Sequence, residues 1–313
     1  MPDDSAATGG GGIPFPVTPE GAGRDDGDRA DGLRLDLSGL DALDLPVARD
    51  RPIVGRLVAA IWPKVVAVVI VGLLWQAVVL AGFWPTYLLP GPATVLAELD
   101  RELADGTLLL AIAISLRRAA LGYALAVVIG TLLGIAVSRS RLLRDAIGSL
   151  ISGLQTMPSI AWFPLAILLF QLSETAILFV VVLGAAPSIA NGVISGIDHV
   201  PPLLLRAGRV LGARGLSAYR FVILPAALPS FVAGLKQGWA FAWRSLMAGE
   251  LLVIVAGQPS IGVRLQFARD LLDAPALLAT MLVVLVIGIV VDALVFSTIE
   301  HSIRSRRGLL LVA

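Results

Sequence analysis

Cysteine is absent from this sequence of 313 residues, and histidine and lysine each occur only twice. Without cysteine the chain can form neither disulfides nor thiolate metal sites. The two histidines, His199 and His301, are far apart in the sequence and have no cluster of acids beside them. Neither lysine, Lys64 or Lys236, lies in the glycine-rich pattern that cradles nucleotide phosphates. We therefore expect no catalytic set, no metal and no bound cofactor in this chain.

Charge is scarce as well. Charged residues make up 15% of the sequence and hydrophobic residues 57%, and the mean hydropathy is +0.87. These values are incompatible with an ordinary water-soluble domain of this length, so we expect the chain to reside in a lipid bilayer and to bind no nucleic acid.

The charges that do occur are unevenly distributed. Residues 1–50 hold eleven acidic residues against four arginines and are rich in glycine and proline. Such a segment buries too little apolar surface to offset its ordering entropy, so we predict a disordered acidic tail. The leucines that recur among aspartates in LRLDLSGLDALDL leave a partner-binding helix as the alternative.

Six apolar segments follow the tail, and each is long enough for the ~20 residues that a helix needs to cross a bilayer. They are far longer than the strands of a membrane barrel, so the predicted fold class is an all-α polytopic membrane protein with about six transmembrane helices. The predicted spans are Trp62 to Phe83, Ala111 to Val137, Ile147 to Phe170, Thr175 to Ile197, Ala226 to Ala256, and Ala276 to Ile299.

Arginine placement predicts the orientation of these spans. If the amino terminus is cytoplasmic, thirteen arginines flank the spans on the cytoplasmic side and five on the other. This distribution favours cytoplasmic termini for a protein of the bacterial plasma or inner membrane. The resulting division is a tail at 1–50, a first span with its external loop at 51–107, a transmembrane core at 108–300 and a basic tail at 301–313. On this reading Arg117 and Arg118 snorkel to the outer interface.

The predicted fourth and fifth spans are separated by a polar interruption, Arg206 to Pro229, that holds four arginines. Helical spacing puts Leu204, Ala207 and Leu211 on one side of a short helix, with Arg206 and Arg209 on another. Gly208, Gly212 and Gly215 permit close backbone approach and a sharp turn. A docking surface for a soluble partner and a basic loop that only sets topology both remain open.

This interruption resembles the cytoplasmic loop of ABC importer permeases, in which a Glu-Ala-Ala group precedes a glycine and an Ile-x-Leu-Pro group follows it. Here Ala207 lies five positions before Gly212, and Val222 to Pro225 read VILP. Arg206 replaces the usual glutamate and Gly208 the second alanine. Further resembling stretches are SLRRAALGY at 115–123, GTLLGIAVSRS at 130–140 and QTMPSIAWFPLAILLF at 155–170, which are similar to the nitrate, taurine and aliphatic-sulfonate branch.

The resemblance implies a type I ABC importer-like fold with a cytoplasmic coupling helix. It also implies a dimer of ATPase subunits that binds ATP and Mg²⁺, a second permease copy, and an extracytoplasmic binding protein that delivers a small, anionic solute. The residues that it assigns to coupling are Arg206, Ala207, Gly208, Leu211, Gly212, Gly215, Leu224 and Pro225.

Polar residues within the spans are candidates for a translocation path, because ionisable side chains at bilayer depth usually face a wet pathway or a bundle interior. The candidates are Gln155, Trp162, Asn191, Lys236, Arg244 and Glu250. Packing remains the alternative for most of them: Lys236 and Glu250 would make bundle contacts, Asn191 would bridge helices, and Pro158 and Pro164 would kink the third span. Arg244, near mid-span, is the candidate for holding an anionic group in transit.

Two other function classes fit less well. An ion-coupled secondary carrier would keep coupling carboxylates at mid-membrane and often shows inverted repeats. Only Glu250 and Asp292 are candidates for such carboxylates, and no repeat is visible. An integral membrane enzyme would need a catalytic set, which this composition does not supply.

Overall fold

The computed structural model describes the backbone of residues 53–306, and every regular element in that range is helical. The predictions for residues 1–50 and for residues 307–313 lie outside the described residues. The chain divides into two units, Met1–Ala67 and Val68–Ala313. Of the first unit the structure describes the beginning of one helix, and the rest of that helix and all later elements belong to the second unit.

Eleven helices are labelled here in chain order. They are α1 (Ile53–Leu80), α2 (Pro92–Ala104), α3 (Thr107–Arg139), α4 (Arg141–Thr156), α5 (Phe163–Phe170), α6 (Glu174–Asp198), α7 (Pro202–Val210), α8 (Leu224–Leu252), α9 (Ile261–Asp270), α10 (Ala274–Val291) and α11 (Ser297–Arg306). A helical turn, Leu216–Ala218, and a wider π-helical turn, Tyr219–Ile223, lead directly into α8. A second π-helical turn, Asp292–Phe296, joins α10 to α11.

Five of the six predicted spans are confirmed as single helical stretches. They are Trp62–Leu80, Thr107–Arg139, Glu174–Asp198, Leu216–Leu252 and Ala274–Ile303. Each is long and apolar enough to cross a bilayer, as hydropathy predicts.

The prediction of one continuous helix from Ile147 to Phe170 is wrong. The segment is a pair, Leu142–Thr156 and Ser159–Phe170, bent by 105°. Met157 takes an extended conformation (φ −74°, ψ 127°), because the ring of Pro158 disfavours a helical residue before it. Proline thus ends the helix there and does not merely kink it.

Helix α6 lies at the centre of the second unit and packs along α3 on one side and α8 on the other. The contacts are between backbones: a Cβ on Gly130 would lie 2.6 Å from the carbonyl oxygen of Ala186, and a Cβ on Gly192 would lie 2.7 Å from the Cα of Gly234. Glycines of α3 and α6 therefore mediate close helix packing. Small residues at such crossings are typical of helix association in lipid, where dispersion contacts replace the hydrophobic effect.

We predict that Gly192→Ala lowers the free energy of unfolding by about 1–3 kcal/mol, because the added methyl group must push α8 away from α6. The measurement is the thermal unfolding midpoint in detergent. The control is Gly148→Ala in α4, where nothing lies within 4 Å of the new atom. Equal midpoints for the two variants would contradict the packing described.

Candidate functional site

The short helix α7 has a defined start and a defined end. Pro202 occupies its first turn, where the missing proline N–H costs no hydrogen bond. At its end the N–H of Ala213 donates to the carbonyl oxygen of Gly208 (2.8 Å), and the N–H of Gly212 donates to that of Arg209 (3.1 Å). Gly212 has a φ of +85°, so this is the Schellman arrangement for which glycine is preferred. The glycine suspected of making a sharp turn therefore ends the helix.

Gly208 anchors α7 to the rest of the unit. It is buried, and a Cβ at this position would lie 2.8 Å from Cγ2 of Val222, which is in the π-helical turn before α8. The close approach places α7 directly against the residues that lead into α8. The other residues assigned to coupling are exposed: Arg206, Ala207, Leu211, Gly212, Gly215, Leu224 and Pro225.

The outer side of this region combines apolar and basic side chains. Val210, Leu211 and Leu216 are each more than 80% exposed, and Arg206, Arg209 and Arg214 lie exposed among them. We call these six residues the α7 surface. Exposed apolar groups rimmed by charge mark an interaction site. Val210 and Leu216 were missed from sequence, although both lie within the interruption.

A cavity of about 580 Å³ lies between α8 and the segment from α10 to α11. We call it the charged cavity. Its lining residues are Ala233, Lys236, Gln237, Trp239, Ala240, Trp243, Arg244, Gly288, Asp292 and Glu300.

The two basic side chains that line this cavity differ in their partners. Lys236 Nζ lies 3.0 Å from Asp292 Oδ1 and 3.8 Å from Glu300 Oε1, so this cation is neutralised by two carboxylates. Arg244 has no carboxylate partner among the described residues. Its Nε donates to the carbonyl oxygen of Ala240 (3.0 Å), and its guanidinium carbon lies 4.6 Å from the ring centroid of Phe241. Its remaining N–H donors are available to a bound group.

Arg244 also lines a second cavity, of about 260 Å³, together with Gln155. The structure joins Gln155 to α6: Asn191 Nδ2 donates to Gln155 Oε1 (3.0 Å), and Gln155 Nε2 donates to Ser188 Oγ (3.1 Å). These bonds bridge α4 and α6, as the packing alternative for Asn191 expects. Trp162 is half-buried against the core and lines neither cavity.

Glu250 does not face the charged cavity. It is fully buried, and its carboxylate accepts hydrogen bonds from Arg118 Nη1 (3.1 Å), Ser115 Oγ (2.7 Å) and the N–H of Gly262 (3.1 Å). Ser115 Oγ in turn accepts from the N–H of Ile261 (3.0 Å). This geometry favours the bundle-contact interpretation of Glu250 over a place in the path.

The expectation that Arg118 snorkels to the interface is wrong. Its side chain is 1% exposed, because Glu250 and Glu174, the latter 3.5 Å from Nε, compensate its charge inside the bundle. Gln258 Oε1 also accepts a hydrogen bond from Nη2 (2.7 Å). Arg117, 57% exposed, instead donates to Glu174 at the start of α6 (2.9 Å). Opposite charges within two apolar spans were the available signal for the Arg118–Glu250 pair, since such residues tend to pair with one another.

Glycine is required beside this ion pair. A Cβ on Gly262, in the first turn of α9, would lie 2.3 Å from Cβ of Glu250. The close approach lets the Gly262 N–H reach the carboxylate, which thereby accepts from the unpaired amino end of α9. The network connects α3, α8 and α9 at the end of the bundle opposite to the α7 surface.

The sequence of the chain is similar to that of known proteins. Residues 126–297 match the family described as binding-protein-dependent transport system inner membrane component. The taurine transport system permease protein TauC of Escherichia coli is 30% identical over 223 residues, 70% of this chain and 80% of TauC. The nitrate import permease protein NrtB of Synechococcus elongatus is 31% identical over 61% of this chain and 71% of its own length.

Solved structures agree on the fold. An inward-facing conformation of the MetNI methionine ABC transporter matches with a TM-score of 0.55 at 19% identity, over 64% of this chain and 98% of the matched chain. An amino acid ABC transporter matches with a TM-score of 0.51 at 18% identity, over 65% of this chain and 97% of its own.

We predict that Glu250→Gln lowers the free energy of unfolding by about 3 kcal/mol, because it leaves the buried Arg118 guanidinium with only the more distant Glu174 carboxylate, 3.5 Å from its Nε, as a counter-charge. The control Arg117→Gln removes a largely exposed pair and should cost about 0–1 kcal/mol. The measurement is thermal unfolding in detergent. Combining Glu250→Gln with Arg118→Met should cost less than the sum of the two single losses, and strict additivity would contradict a direct pair.

Proposed function

The chain belongs to the binding-protein-dependent transport system inner membrane components, the permease subunits of ABC importers, and we propose that it carries a small anion. It is a transport subunit rather than an enzyme, and ATP hydrolysis belongs to a separate subunit. The observation that carries the proposal is Arg244, whose guanidinium faces the charged cavity and has no carboxylate partner among the described residues.

The solute class follows from the chemistry of that cavity. A guanidinium presents planar, paired donors that suit sulfonate, carboxylate and nitrate oxygens, and Lys236 cannot compete for the anion while Asp292 and Glu300 hold it. The names of two relatives point the same way, since taurine carries a sulfonate and nitrate is itself an anion. An aliphatic sulfonate, taurine or a nitrate-like anion fits the arrangement.

The α7 surface is the proposed docking site for the ATPase subunits, which bind ATP and Mg²⁺. Three apolar side chains with little other contact and three arginines around them suit a groove with acidic edges. The arginine distribution supports cytoplasmic termini, which put this surface in the cytoplasm, where such a subunit is found.

Helix α8 is the proposed link between docking and transport. The Leu216–Leu252 stretch is helical throughout and 37 residues long, or about 55 Å at 1.5 Å per residue. Gly208 fixes α7 against its beginning, and its middle carries Lys236, Gln237 and Arg244. A displacement of the α7 surface therefore moves the wall of the charged cavity.

The charged cavity is open on one side in the single chain, and a second copy of the chain is proposed to close it. Two copies would then present two Arg244 side chains to one path. An extracytoplasmic binding protein delivers the solute when closure of the ATPase pair draws the two α7 surfaces together and turns the path outward. Hydrolysis restores the inward-facing state, and the two states are biased differently by nucleotide and by the binding protein.

We predict that Leu211→Asp abolishes stable association with the ATPase subunit, with affinity reduced at least tenfold, because a carboxylate replaces an apolar side chain of the α7 surface that is 86% exposed. The measurement is the amount of ATPase subunit that copurifies with the tagged permease. Leu271→Asp is the matched control, since Leu271 is 77% exposed at the end of α9. Undiminished copurification of the Leu211 variant would remove α7 from the docking site.

We predict that Arg244→Ala lowers ATP-dependent uptake of the transported anion by about tenfold or more, because a charge-assisted hydrogen bond worth about 1.5–3 kcal/mol is lost. Arg244→Lys should retain part of the activity. The assay is uptake into vesicles that contain the whole complex, after copurification has verified assembly. Arg269→Ala, which breaks only an exposed pair with the adjacent Asp270, should transport normally. Unchanged uptake by an assembled Arg244→Ala complex would exclude Arg244 from the path.

A further inference from the structure

An apolar groove of about 270 Å³ lies where the last turns of α3, the last turns of α6 and the beginning of α8 meet. Its apolar lining residues include Ile135, Val193, Leu224 and Phe231. Arg139 is at one end. Nothing in the proposed transport path uses this groove.

The groove and the charged cavity lie on opposite sides of α8. Leu228 and Phe231 line the groove, whereas Gln237 and Ala240 line the charged cavity. Leu228 and Gln237 are nine residues apart, as are Phe231 and Ala240, which corresponds to two and a half helical turns. The side of α8 that lines the groove therefore faces away from the proposed solute path.

The groove also has a defined depth in the bilayer. Its inner end is at Thr131, inside the span formed by α3, and Arg139 is the last residue of that span. Thr131 and Arg139 are eight positions apart, which corresponds to about 12 Å along the helix axis. Leu216, the first residue of the span that contains α8, lines the groove as well. A molecule bound in the groove must therefore be apolar along the part that lies within the spans and polar at the end beside Arg139.

The charge at this end is positive. Arg139 is exposed, its guanidinium carbon lies 5.1 Å from the ring centroid of Tyr219, and no carboxylate pairs with it in the part of the chain that the structure describes. The Tyr219 ring holds the guanidinium over the mouth of the groove. A phosphate that entered this mouth would meet a positioned and uncompensated donor.

We propose that the groove binds one acyl chain of an anionic phospholipid, with Arg139 on the headgroup phosphate. Basic sites between transmembrane helices on the cytoplasmic side suit such lipids. The bound chain contacts Tyr219, Ile223 and Leu224, which lie between the α7 surface and the rest of α8. The lipid thus fills the junction through which α7 and α8 are connected, and this inference does not require the proposed solute or path.

The test measures lipids that stay bound to the purified permease. Native mass spectrometry of detergent-solubilised protein, after incubation with phosphatidylglycerol or phosphatidylcholine, should show one tightly held lipid with a preference for phosphatidylglycerol. Arg139→Gln should reduce the affinity for phosphatidylglycerol about fivefold, the effect of one basic group at an anionic surface. It should reduce phosphatidylcholine binding less, because the choline group offsets the charge of the phosphate. Ile135→Trp, which fills the groove, should remove the tightly held lipid of either kind.

The matched control is Arg220→Gln. Arg220 is exposed, belongs to the same π-helical turn as Tyr219 and does not line the groove. The Arg220→Gln variant should bind phosphatidylglycerol with the same affinity as the unchanged protein. Equal losses in the Arg139 and Arg220 variants would show non-specific attraction to surface charge and overturn the proposal.

Two further outcomes would overturn it. Displacement of the lipid by inorganic phosphate alone would show that the groove holds no acyl chain. A change in oligomeric state in Ile135→Trp, with lipid binding intact, would make the groove a contact between copies. Thermal unfolding of each variant verifies that the fold is retained, and Ile135→Leu, which preserves the size of the side chain, serves if Ile135→Trp does not fold: it should keep the lipid.

Discussion

The buried ion pair between Arg118 and Glu250 is the interaction on which the arrangement of the bundle most depends. Away from water, the Glu250 carboxylate is not tolerated without the Arg118 guanidinium, so α3 and α8 must keep the register that brings the two side chains together. Ser115 and the amino end of α9 complete the shell of hydrogen bonds around the carboxylate. The position of α9 therefore follows from that of α8.

The two ends of the bundle are held in different ways. The Glu250 end has a dry, charged network in which every oxygen of the carboxylate is used. The end that carries α7 is joined by a glycine contact between Gly208 and Val222 and by a half-exposed pair between Arg144 and Asp198 (2.8 Å). Exposed pairs contribute little. Motion that begins at α7 thus meets less resistance there than at the opposite end, which is consistent with the proposed docking of another subunit at the α7 surface.

Helix α8 presents a different chemistry on each of three sides. Gly234 meets Gly192 of α6 at backbone distance, Lys236 and Arg244 face the charged cavity, and Leu228 and Phe231 face the apolar groove. Of these three sides, only the one packed against α6 demands a small residue, and only the one that lines the charged cavity tolerates charge. A helix with such varied neighbours has a weak overall amphipathic pattern, and a simple inside-and-outside division does not describe it.

Local features of the fold could be predicted from the sequence, and features that depend on distant residues could not. The spans follow from hydropathy because the cost of exposing backbone and polar groups to lipid is paid residue by residue, and the turn at Gly212 follows from its neighbours. The bend at Pro158 was expected, but its angle depends on how α5 packs. Arg118 and Glu250 are separated by 132 positions, and no local pattern reports which of several ionisable residues will meet. The grouping of Lys236 with Asp292 and Glu300 depends on the same long-range packing.

The π-helical turn at Tyr219–Ile223 has a consequence for the length of the chain. Such a turn accommodates one residue more than an α-helical turn, and each residue rotates a helix by about 100°. Removing a single amino acid there would convert the turn into an α-helical one and leave the downstream side chains of α8, Arg244 among them, close to their present orientation relative to α7. A deletion within the α-helical part before Arg244 would instead rotate that side chain by more than a quarter of a circle. The π-helical turn is therefore the place in this stretch where the chain tolerates the loss of one residue with the least effect on the charged cavity.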